Sequence, residues 1–435
     1  MVGSTFDLNT LPGNFDASKA SNWTNATVDG NTLTVTDSKA NITYTYDLGN
    51  GKTEIFTLVP SSCELTEEMV DAIPVQAHTG SAITPAVTIK YGEELLTEGT
   101  DYAISYAQNT EIGTATVTIT GMGSFTGEIT IPFEIGVAID AANFPGETFR
   151  TYVQENFDTT TDGFLSKDEL EQVTQINVSS KGITDLTGVE YFTALNELSC
   201  YDNSLTELDV RQNTALQTLE VSLNNLSELD VRQNTALQTL DVSYNNLSEL
   251  DVRQNTALQT LDVSQNNLSE LDVSKNLSLK HLDCFYSNLT NLDVRQNTAL
   301  QTLEVSRNNL SELDVSKNLS LEYLYCSSNN LTKLDVQQNT ALQELNVSHN
   351  NLSELDVRQN TALKTLRCSN NHLAKLDIQQ NTKLTSLSCS ENTYFIDTVN
   401  GTFDLSTLPD GFDRNKTSDW TNATVDGNTL TVTDL

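Results

Sequence analysis

One 21-residue unit recurs through the second half of the chain. Residues 208–228 read LDVRQNTALQTLEVSLNNLSE, and residues 229–249 read LDVRQNTALQTLDVSYNNLSE. Each buried apolar side chain of a unit contributes about 1.5–3 kcal/mol, whereas ordering costs about 1.5 kcal/mol for every residue. One unit therefore cannot fold alone, and stacking of successive units must stabilise the array. A degenerate unit begins at Val173, and the others begin at Leu195, Leu216, Leu237, Leu258, Leu279, Leu300, Leu321, Leu342, Leu363 and Leu384.

The apolar positions of each unit follow the pattern LxxLxLxxNxL. In one unit they are Leu216, Leu219, Val221 and Leu226, with Asn224 between the last two. This pattern resembles the leucine-rich repeat, in the bacterial class that nests two half-repeats in one turn. The resemblance predicts a mainly β fold with almost no helix. Residues 173–398 would form a solenoid of about 11 turns with two parallel sheets.

Two asparagines recur in most units, and in the unit above they are Asn224 and Asn234. Both fall where the chain must turn a corner of the solenoid. An amide side chain can donate to and accept from backbone groups that would otherwise be buried without partners. We therefore interpret these asparagines as parts of the scaffold.

The balance of charge limits the classes of partner. The chain has 23 Lys and Arg against 59 Asp and Glu, a net charge of −36. Binding to nucleic acid or to an anionic membrane needs a basic surface, which this composition does not supply. No apolar run approaches the roughly 18 residues that a spanning helix needs, and residues 1–10 do not resemble a signal peptide. We expect no nucleic-acid binding, no membrane insertion and a monomeric chain.

The cysteines do not indicate an active site. Cys63 lies apart from the repeats, and His281 alternates with inward Leu282, so it faces away from Cys284. No Ser–His–Asp set, carboxylate pair or phosphate loop is evident, which predicts a non-enzymatic protein with no required cofactor. The other cysteines occupy the inward position of Val221, where they act as small apolar residues; they are Cys200, Cys284, Cys326, Cys368 and Cys389.

The segment 60–137 alternates short strands with glycine and asparagine turns. Its stretches GTDYAISY, residues 99–106, and GTATVTITGMGSFTG, residues 113–127, resemble an immunoglobulin-like module of bacterial cell-surface proteins. The resemblance implies a β-sandwich that serves as a spacer.

The segment 138–172 predicts two short helices around DTTTDGFLSKDE, residues 158–169. This loop resembles a single EF-hand loop, which implies a calcium site. Thr160 departs from the family pattern at a position where a carboxylate or an amide is expected. An alternative is a helical cap on the first turn of the array, with Ser166 and Glu169 forming a capping box. The candidate metal residues are Asp158, Thr160, Asp162, Phe164 and Glu169.

A second, longer repeat links the two ends of the sequence. Residues 5–37 return at 402–434, with Trp420 in the place of Trp23. The first copy continues into a predicted hairpin at 40–59, so we assign a small β module to residues 1–59 and a truncated copy to residues 399–435. Either the chain is one period of a longer protein or it ends there naturally. The last strand, NTLTVTDL, is expected to lack a partner within its module.

The whole arrangement resembles the internalin-like leucine-rich repeat proteins of bacterial surfaces. That resemblance implies a secreted or surface-displayed protein for recognition or adhesion, with a host or microbial protein or glycan as its partner. Two alternatives remain, a structural stalk or self-assembly element and a carbohydrate-binding module.

The first strand of each turn carries the expected binding face. Its outward positions read mostly Thr, Asp or Glu, and Ser, but they change from residue 279 onward. Exposed aromatic side chains on a sheet are typical binding anchors, although they could instead pack on one another across turns. The predicted ligand-binding residues are His281, Asp283, Phe285, Tyr286, Glu304, Arg307, Tyr323, Tyr325, Glu344, His349 and Arg367.

Overall fold

The computed structural model describes residues 5–37, 40–59, 63–394, 396, 402–408, 417 and 420–433. The chain divides into two units. One comprises residues 1–138 with 164–167, and the other comprises residues 139–163 with 168–435. None of the helices among the described residues is long and apolar enough to cross a membrane.

The N-terminal module contains two antiparallel sheets, β1-β4-β3 and β2-β5-β6. The hairpin between β5 and β6 turns at Asn50 and Gly51, which both have positive φ angles, as a tight hairpin requires. Leu8, Leu33 and Ile42 form its core. The strands are β1 Thr5–Asp7, β2 Ala20–Thr24, β3 Ala26–Asp29, β4 Thr32–Val35, β5 Ile42–Gly49 and β6 Lys52–Leu58.

The rest of the first unit is built on the sheet β11-β12-β14-β15, with β8 parallel to β14. Strand β12 alternates as predicted, with Ala115, Val117 and Ile119 fully buried. The immunoglobulin-like assignment of this region stays a prediction. The strands are β7 Cys63–Glu64, β8 Gln76–Ala77, β9 Lys90–Tyr91, β10 Glu94–Leu95, β11 Tyr102–Ala107, β12 Gly113–Gly121, β13 Phe125–Thr126, β14 Glu128–Ala138 and β15 Phe164–Leu165.

The two predicted short helices are present before the array. Helix α1 spans Glu147–Asn156 and helix α2 spans Lys167–Gln172. Phe149 and Val153, one helical turn apart, are fully buried on one side of α1.

The repeats form one sheet of eleven parallel strands, which confirms the predicted mainly β solenoid. Equivalent leucines pair from turn to turn, for example Leu219 with Leu240, because the repeat length is constant. The strands are β16 Gln175–Asn177, β17 Glu197–Ser199, β18 Thr218–Glu220, β19 Thr239–Asp241, β20 Thr260–Asp262, β21 His281–Asp283, β22 Thr302–Glu304, β23 Tyr323–Tyr325, β24 Glu344–Asn346, β25 Thr365–Arg367 and β26 Ser386–Ser388.

The predicted second parallel sheet is wrong. Within residues 173–394 the LDV segments of the repeats form no strand ladder. In each of them an aspartate side chain bends the backbone, as where Asp251 Oδ1 accepts a hydrogen bond from the Arg253 backbone N–H at 3.0 Å. The same turn follows the first strands, for example at Asp262, where a ladder does form, so this turn is common to both sides of each repeat.

The two asparagine positions hold the turns together in different ways. Asn245 Nδ2 donates to the carbonyl of Val221 at 3.0 Å, and its Oδ1 accepts from the Leu226 N–H at 2.9 Å. At the other corner Asn255 Nδ2 donates to the carbonyls of Val231 and Asn234. The second position does not accept as predicted: its Oδ1 has no partner in nine turns among the described residues.

The C-terminal module repeats one sheet of the first module. Its strands are β27 Thr402–Asp404, β28 Ala423–Asp426 and β29 Thr429–Val432. The prediction that the last strand lacks a partner is wrong, because β29 is the central strand of the order β27-β29-β28. The hairpin of the first module belongs to its other sheet, so β29 does not need it.

Candidate binding face of the repeat array

The outward residues of the eleven-stranded sheet form two rows that flank the buried leucines. In β21, Leu282 is buried between His281 and Asp283. The first row continues from His281 through Thr302 to Tyr323. The second row, by the same register, includes Asp283, Glu304, Tyr325, Asn346 and Arg367. The predicted residues on strands β21 to β25 therefore lie on one face, as expected.

Among the described residues, no other aromatic ring packs on the tyrosines of β23. Tyr325 instead donates from Oη to Glu344 Oε2 at 3.0 Å. Burial of the phenol and this hydrogen bond raise the pKa of Tyr325 to about 12. Among the described residues, the only pair of aromatic rings in contact on this face is Phe285 and Tyr286, with centroids 6.3 Å apart. Packing of the aromatic residues across turns therefore does not explain Tyr323 and Tyr325.

An arginine lies beside the aromatic residues of this face. The guanidinium of Arg307 lies 5.6 Å from the centroid of the Phe285 ring, in cation–π geometry. The backbone N–H of Phe285 donates to Asp283 Oδ1 at 2.8 Å, which fixes the start of this turn. Planar cationic and aromatic groups thus lie side by side, an arrangement that suits recognition of a protein surface.

A third row, the corner row, lies where each first strand turns. Each of its residues has a positive φ angle, between 53° and 57°. Asparagine or glycine is favoured in this conformation, and a bulky residue there is strained. Nevertheless Leu223, Tyr244 and Tyr286 occupy it with 47%, 51% and 52% of their surface exposed. The corner row comprises Asp202, Leu223, Tyr244, Gln265, Tyr286, Arg307, Ser328, His349, Asn370 and Glu391.

Tyr244 belongs to the corner row, but it is not among the predicted residues of the face, because its unit otherwise follows the template. The sequence signal for Tyr244 is its position in the repeat, which varies from unit to unit while the flanking positions are mostly constant.

Carboxylates occupy five consecutive positions of the second row, which we call the acidic column. They are Glu220, Asp241, Asp262, Asp283 and Glu304. Burial raises the pKa values of Asp262 and Glu304. Burial, together with the neighbouring Asp262, raises the pKa of Asp283 to about 7. Like charges one strand spacing, about 4.8 Å, apart oppose ionisation of one another.

The opposite side of the turns is more uniform. Arg253 donates from Nε and Nη2 to the two carboxylate oxygens of Asp251, at 2.9 and 2.7 Å. The same pair recurs at four other turns, for example at Asp230 and Arg232. Each of these arginines is paired with the aspartate of its own turn. The exposed side chains on this side therefore differ little from turn to turn and offer little specificity for recognition.

The residues of the EF-hand-like loop are arranged as a hydrogen-bonded cap. Glu169 is buried, and its Oε1 accepts from the backbone N–H groups of Thr159 and Thr160 at 2.8 and 3.1 Å. Asp158 is also buried and accepts from the N–H groups of Asp162 and Gly163.

The predicted metal residues lie in this loop and in strand β15. Thr160 Oγ1 lies 3.4 Å from Asp158 Oδ1. Among the described residues no group of three acidic, His or Cys side chains is arranged for a metal. The hydrogen bonds of Glu169 to Thr159 and Thr160 close the loop, and both the capping box with Ser166 and calcium binding stay predictions.

Replacing Glu169 with glutamine should lower the free energy of unfolding by about 1 kcal/mol, because the buried charge-assisted hydrogen bonds to Thr159 and Thr160 are weakened. Thermal unfolding in a chelator measures this loss, and Glu155→Gln, an exposed change on α1, is the control. A melting temperature that rises with millimolar calcium in the parent and not in Glu169→Gln would establish the calcium site instead.

The repeat cysteines lie inward as predicted, and all are free. Cys200, Cys284, Cys326 and Cys368 are fully buried, while Cys389 is half-buried. Burial raises the pKa of Cys200 to about 12. A thiol that stays protonated inside the core is not a nucleophile.

Comparison with known proteins agrees with the repeat geometry. Residues 144–266 match the family described as the leucine-rich repeat domain of the endo-β-N-acetylglucosaminidase EndoS. The chain is 38% identical over 71 residues to internalin J of Listeria monocytogenes, which is 16% of this chain and 8% of that protein. The solved functional domain of internalin J, described as including a cysteine ladder, is 34% identical with a TM-score of 0.50, over 59% of this chain and 62% of that domain.

The parallel sheet, the stacked leucines and the asparagine corners define a leucine-rich repeat solenoid. The matched part of this chain spans less than two thirds of the length of each relative reported above. Within that class its repeats are similar to those of internalin J.

Proposed function

We propose that this chain is a non-enzymatic recognition or adhesion protein that acts outside the cell or at its surface. It binds a protein partner through the first-strand rows and the corner row. The observation that carries the proposal is that exposed tyrosines and a leucine occupy corner positions whose left-handed backbone favours asparagine or glycine.

The shape of this face supports a protein partner over a small ligand. Eleven strands at about 4.8 Å extend over roughly 50 Å, which matches a protein interface better than a sugar site. Aromatic and arginine side chains of the kind found at interface hot spots concentrate between residues 281 and 367. The carboxylates of the acidic column add a negative region, which favours a partner with a complementary basic surface.

The first experiment identifies the partner. The full chain is immobilised and probed with extracellular host proteins, bacterial surface proteins and a glycan array. Binding confined to the glycan array would replace the protein partner by a carbohydrate. No binding to any of them would favour the alternative of a structural stalk, which the uniform Asp–Arg side of the turns also fits.

The double change Phe285→Ser with Tyr325→Asn should weaken binding to the identified partner at least about tenfold, because it removes two anchors and the ring beneath Arg307. The fold should be retained, since Ser264 and Asn346 already occupy these positions in other turns. Binding is measured by calorimetry against the parent. The control is Arg253→Ser on the opposite side, where the next turn already has Ser274 at the equivalent position. Equal affinity of all three proteins would place the interface elsewhere.

A further inference from the structure

One corner of the repeat array departs from the asparagine pattern. In the turn that follows strand β21, Ser287 occupies the position that Asn245 and Asn266 hold in the two preceding turns, and it is fully buried. Ser287 Oγ donates to the carbonyl of Val263 at 3.0 Å, in the way an asparagine amide does at other turns. The serine side chain is shorter, however, and has one polar atom where the amide has two. We call residues 286–290 the serine corner.

The missing amide leaves a buried residue without backbone partners. At the preceding corner Leu247 donates its N–H to Asn266 Oδ1 at 2.9 Å, and its carbonyl accepts from the Asn267 N–H at 2.8 Å. Leu268 is the equivalent residue at the serine corner and is also fully buried. Among the described residues, neither its N–H nor its carbonyl has a hydrogen-bond partner. Buried backbone groups are almost always paired, so this corner is an exception within the array.

The backbone of the serine corner also follows a different path. Tyr286 and Asn288 both have positive φ angles, of 53° and 63°, whereas the corner at Tyr244 has one such residue. The contact with the preceding turn is made further along the chain, where the Thr290 N–H donates to the carbonyl of Ser269 at 3.3 Å. Local opening costs least free energy where backbone hydrogen bonds are few or long. The serine corner is therefore held to the preceding turn less firmly than its neighbours are.

The serine corner lies beside the aromatic pair of the binding face. Phe285 and Tyr286 are in contact with each other, and Arg307 of the next turn lies against the Phe285 ring. The corner that carries Arg307 is regular, because Asn308 donates to one backbone group of the preceding turn and accepts from another, both at 2.8 Å. The aromatic pair thus lies at a weakly held corner, next to an arginine at a firmly held one.

We propose that the serine corner is a site of local opening in the binding face, which lets Phe285 and Tyr286 change position relative to Arg307 when a partner docks. This inference rests on the proposed function. Such an opening suits a face that has to fit the surface of a partner, because side chains and loops at interfaces commonly rearrange on binding. The rest of the array need not move, since the corners on either side keep their asparagine hydrogen bonds.

Hydrogen exchange of the full chain, resolved to single amides by mass spectrometry, tests this opening. Leu247 and Leu268 have the same flanking residues, Asn-Asn before and Ser-Glu-Leu after, so their unprotected amides exchange at the same rate. We expect the Leu268 amide to exchange at least about tenfold faster than that of Leu247, because its buried N–H is unpaired. The Tyr286 amide should exchange with the same urea dependence as that of Leu268, whereas the Arg307 amide should be more strongly protected.

Two reciprocal substitutions supply matched variants. Ser287→Asn introduces the side chain of the preceding corners, and the Leu268 amide should then exchange as slowly as that of Leu247. Asn266→Ser should produce the reverse change and accelerate the exchange of Leu247. Both variants should fold, because the array already contains each side chain at this position.

Equal exchange of Leu247 and Leu268 in the parent would overturn the proposal, and so would a Leu268 rate that Ser287→Asn leaves unchanged. A Tyr286 amide as strongly protected as that of Arg307 would contradict it as well, since the corner would then open without moving the aromatic pair. These readouts are made without a partner. A failed partner screen therefore counts against the proposed function and leaves this test unaffected.

Discussion

Replacing Asn245 with alanine should lower the free energy of unfolding of the repeat array by about 3 kcal/mol. The amide donates to the carbonyls of Val221, Val242 and Ser243, and its Oδ1 accepts from the Leu226 N–H. The side chain is buried, with 6% of its surface exposed. Alanine would leave the Leu226 N–H without its partner, and no water can reach it without opening the corner between two turns.

The next residue supplies a matched control. Asn246 has the same side chain in the same turn but is exposed, so Asn246→Ala should change the stability by less than about 0.5 kcal/mol. Unfolding in urea, followed by far-UV circular dichroism, measures both variants. A similar loss of stability in both variants would mean that removing any asparagine side chain of the turn has this effect, whether or not it makes the buried hydrogen bonds of the corner.

Replacing Asp283 with asparagine should stabilise the array at pH 7.5. The pKa of Asp283 is raised to about 7 by burial and by Asp262, so the folded state holds this proton more tightly than the unfolded state does. The stabilisation from the proton is complete below about pH 4 and is lost as the pH rises through about 7. Asparagine keeps an acceptor for the Phe285 N–H without the charge. Allowing for partial exposure, we expect a gain of about 2 kcal/mol.

Urea unfolding at pH 5.0 and at pH 7.5 tests this sign. The parent should be more stable at pH 5.0, and the variant should show a smaller difference, with Asp262 and Glu304 providing the remainder. Asp293→Asn is the opposite control. The hydrogen bonds from Arg295 lower the pKa of Asp293 to about 2, so its stabilisation is present above about pH 4. That variant should be less stable than the parent at pH 7.5, and a gain would contradict our interpretation of both carboxylates.

The constant repeat length made most of the solenoid predictable. A fixed spacing of 21 residues requires equivalent leucines to pair, as Leu219 does with Leu240. That residues 173–394 form one parallel sheet and not two was not predictable in the same way. The segment LDV alternates apolar and polar residues whether or not it joins a ladder. The aspartate turn does not separate the two cases either, because it occurs at Asp241 on a ladder strand and at Asp251 outside one.

The outward placement of the strand residues was predictable from strand alternation alone. Tyr323, Tyr325 and Arg367 occupy the positions that the pattern indicated. The corner row was predicted only in part, at Tyr286, Arg307 and His349. Its left-handed backbone was not predictable, because leucine and tyrosine disfavour the conformation that Leu223 and Tyr244 adopt. The raised pKa of Asp283 arises from burial and from neighbouring carboxylates such as Asp262, one repeat away in sequence. The proximity of these carboxylates is evident only when the repeats are placed side by side in the sheet.

The asparagine corners also give the array a direction. Asn255 donates to Val231 and Asn234, and so every bond of this series runs from one turn to the turn made before it. During synthesis on the ribosome, each new turn would therefore meet acceptors that are already in place. A chain could be extended by one turn at a time from its N-terminal end, while a C-terminal fragment alone would begin with asparagines that have nothing to bind. A duplicated repeat is thus added most easily where a folded turn precedes it and supplies these backbone acceptors.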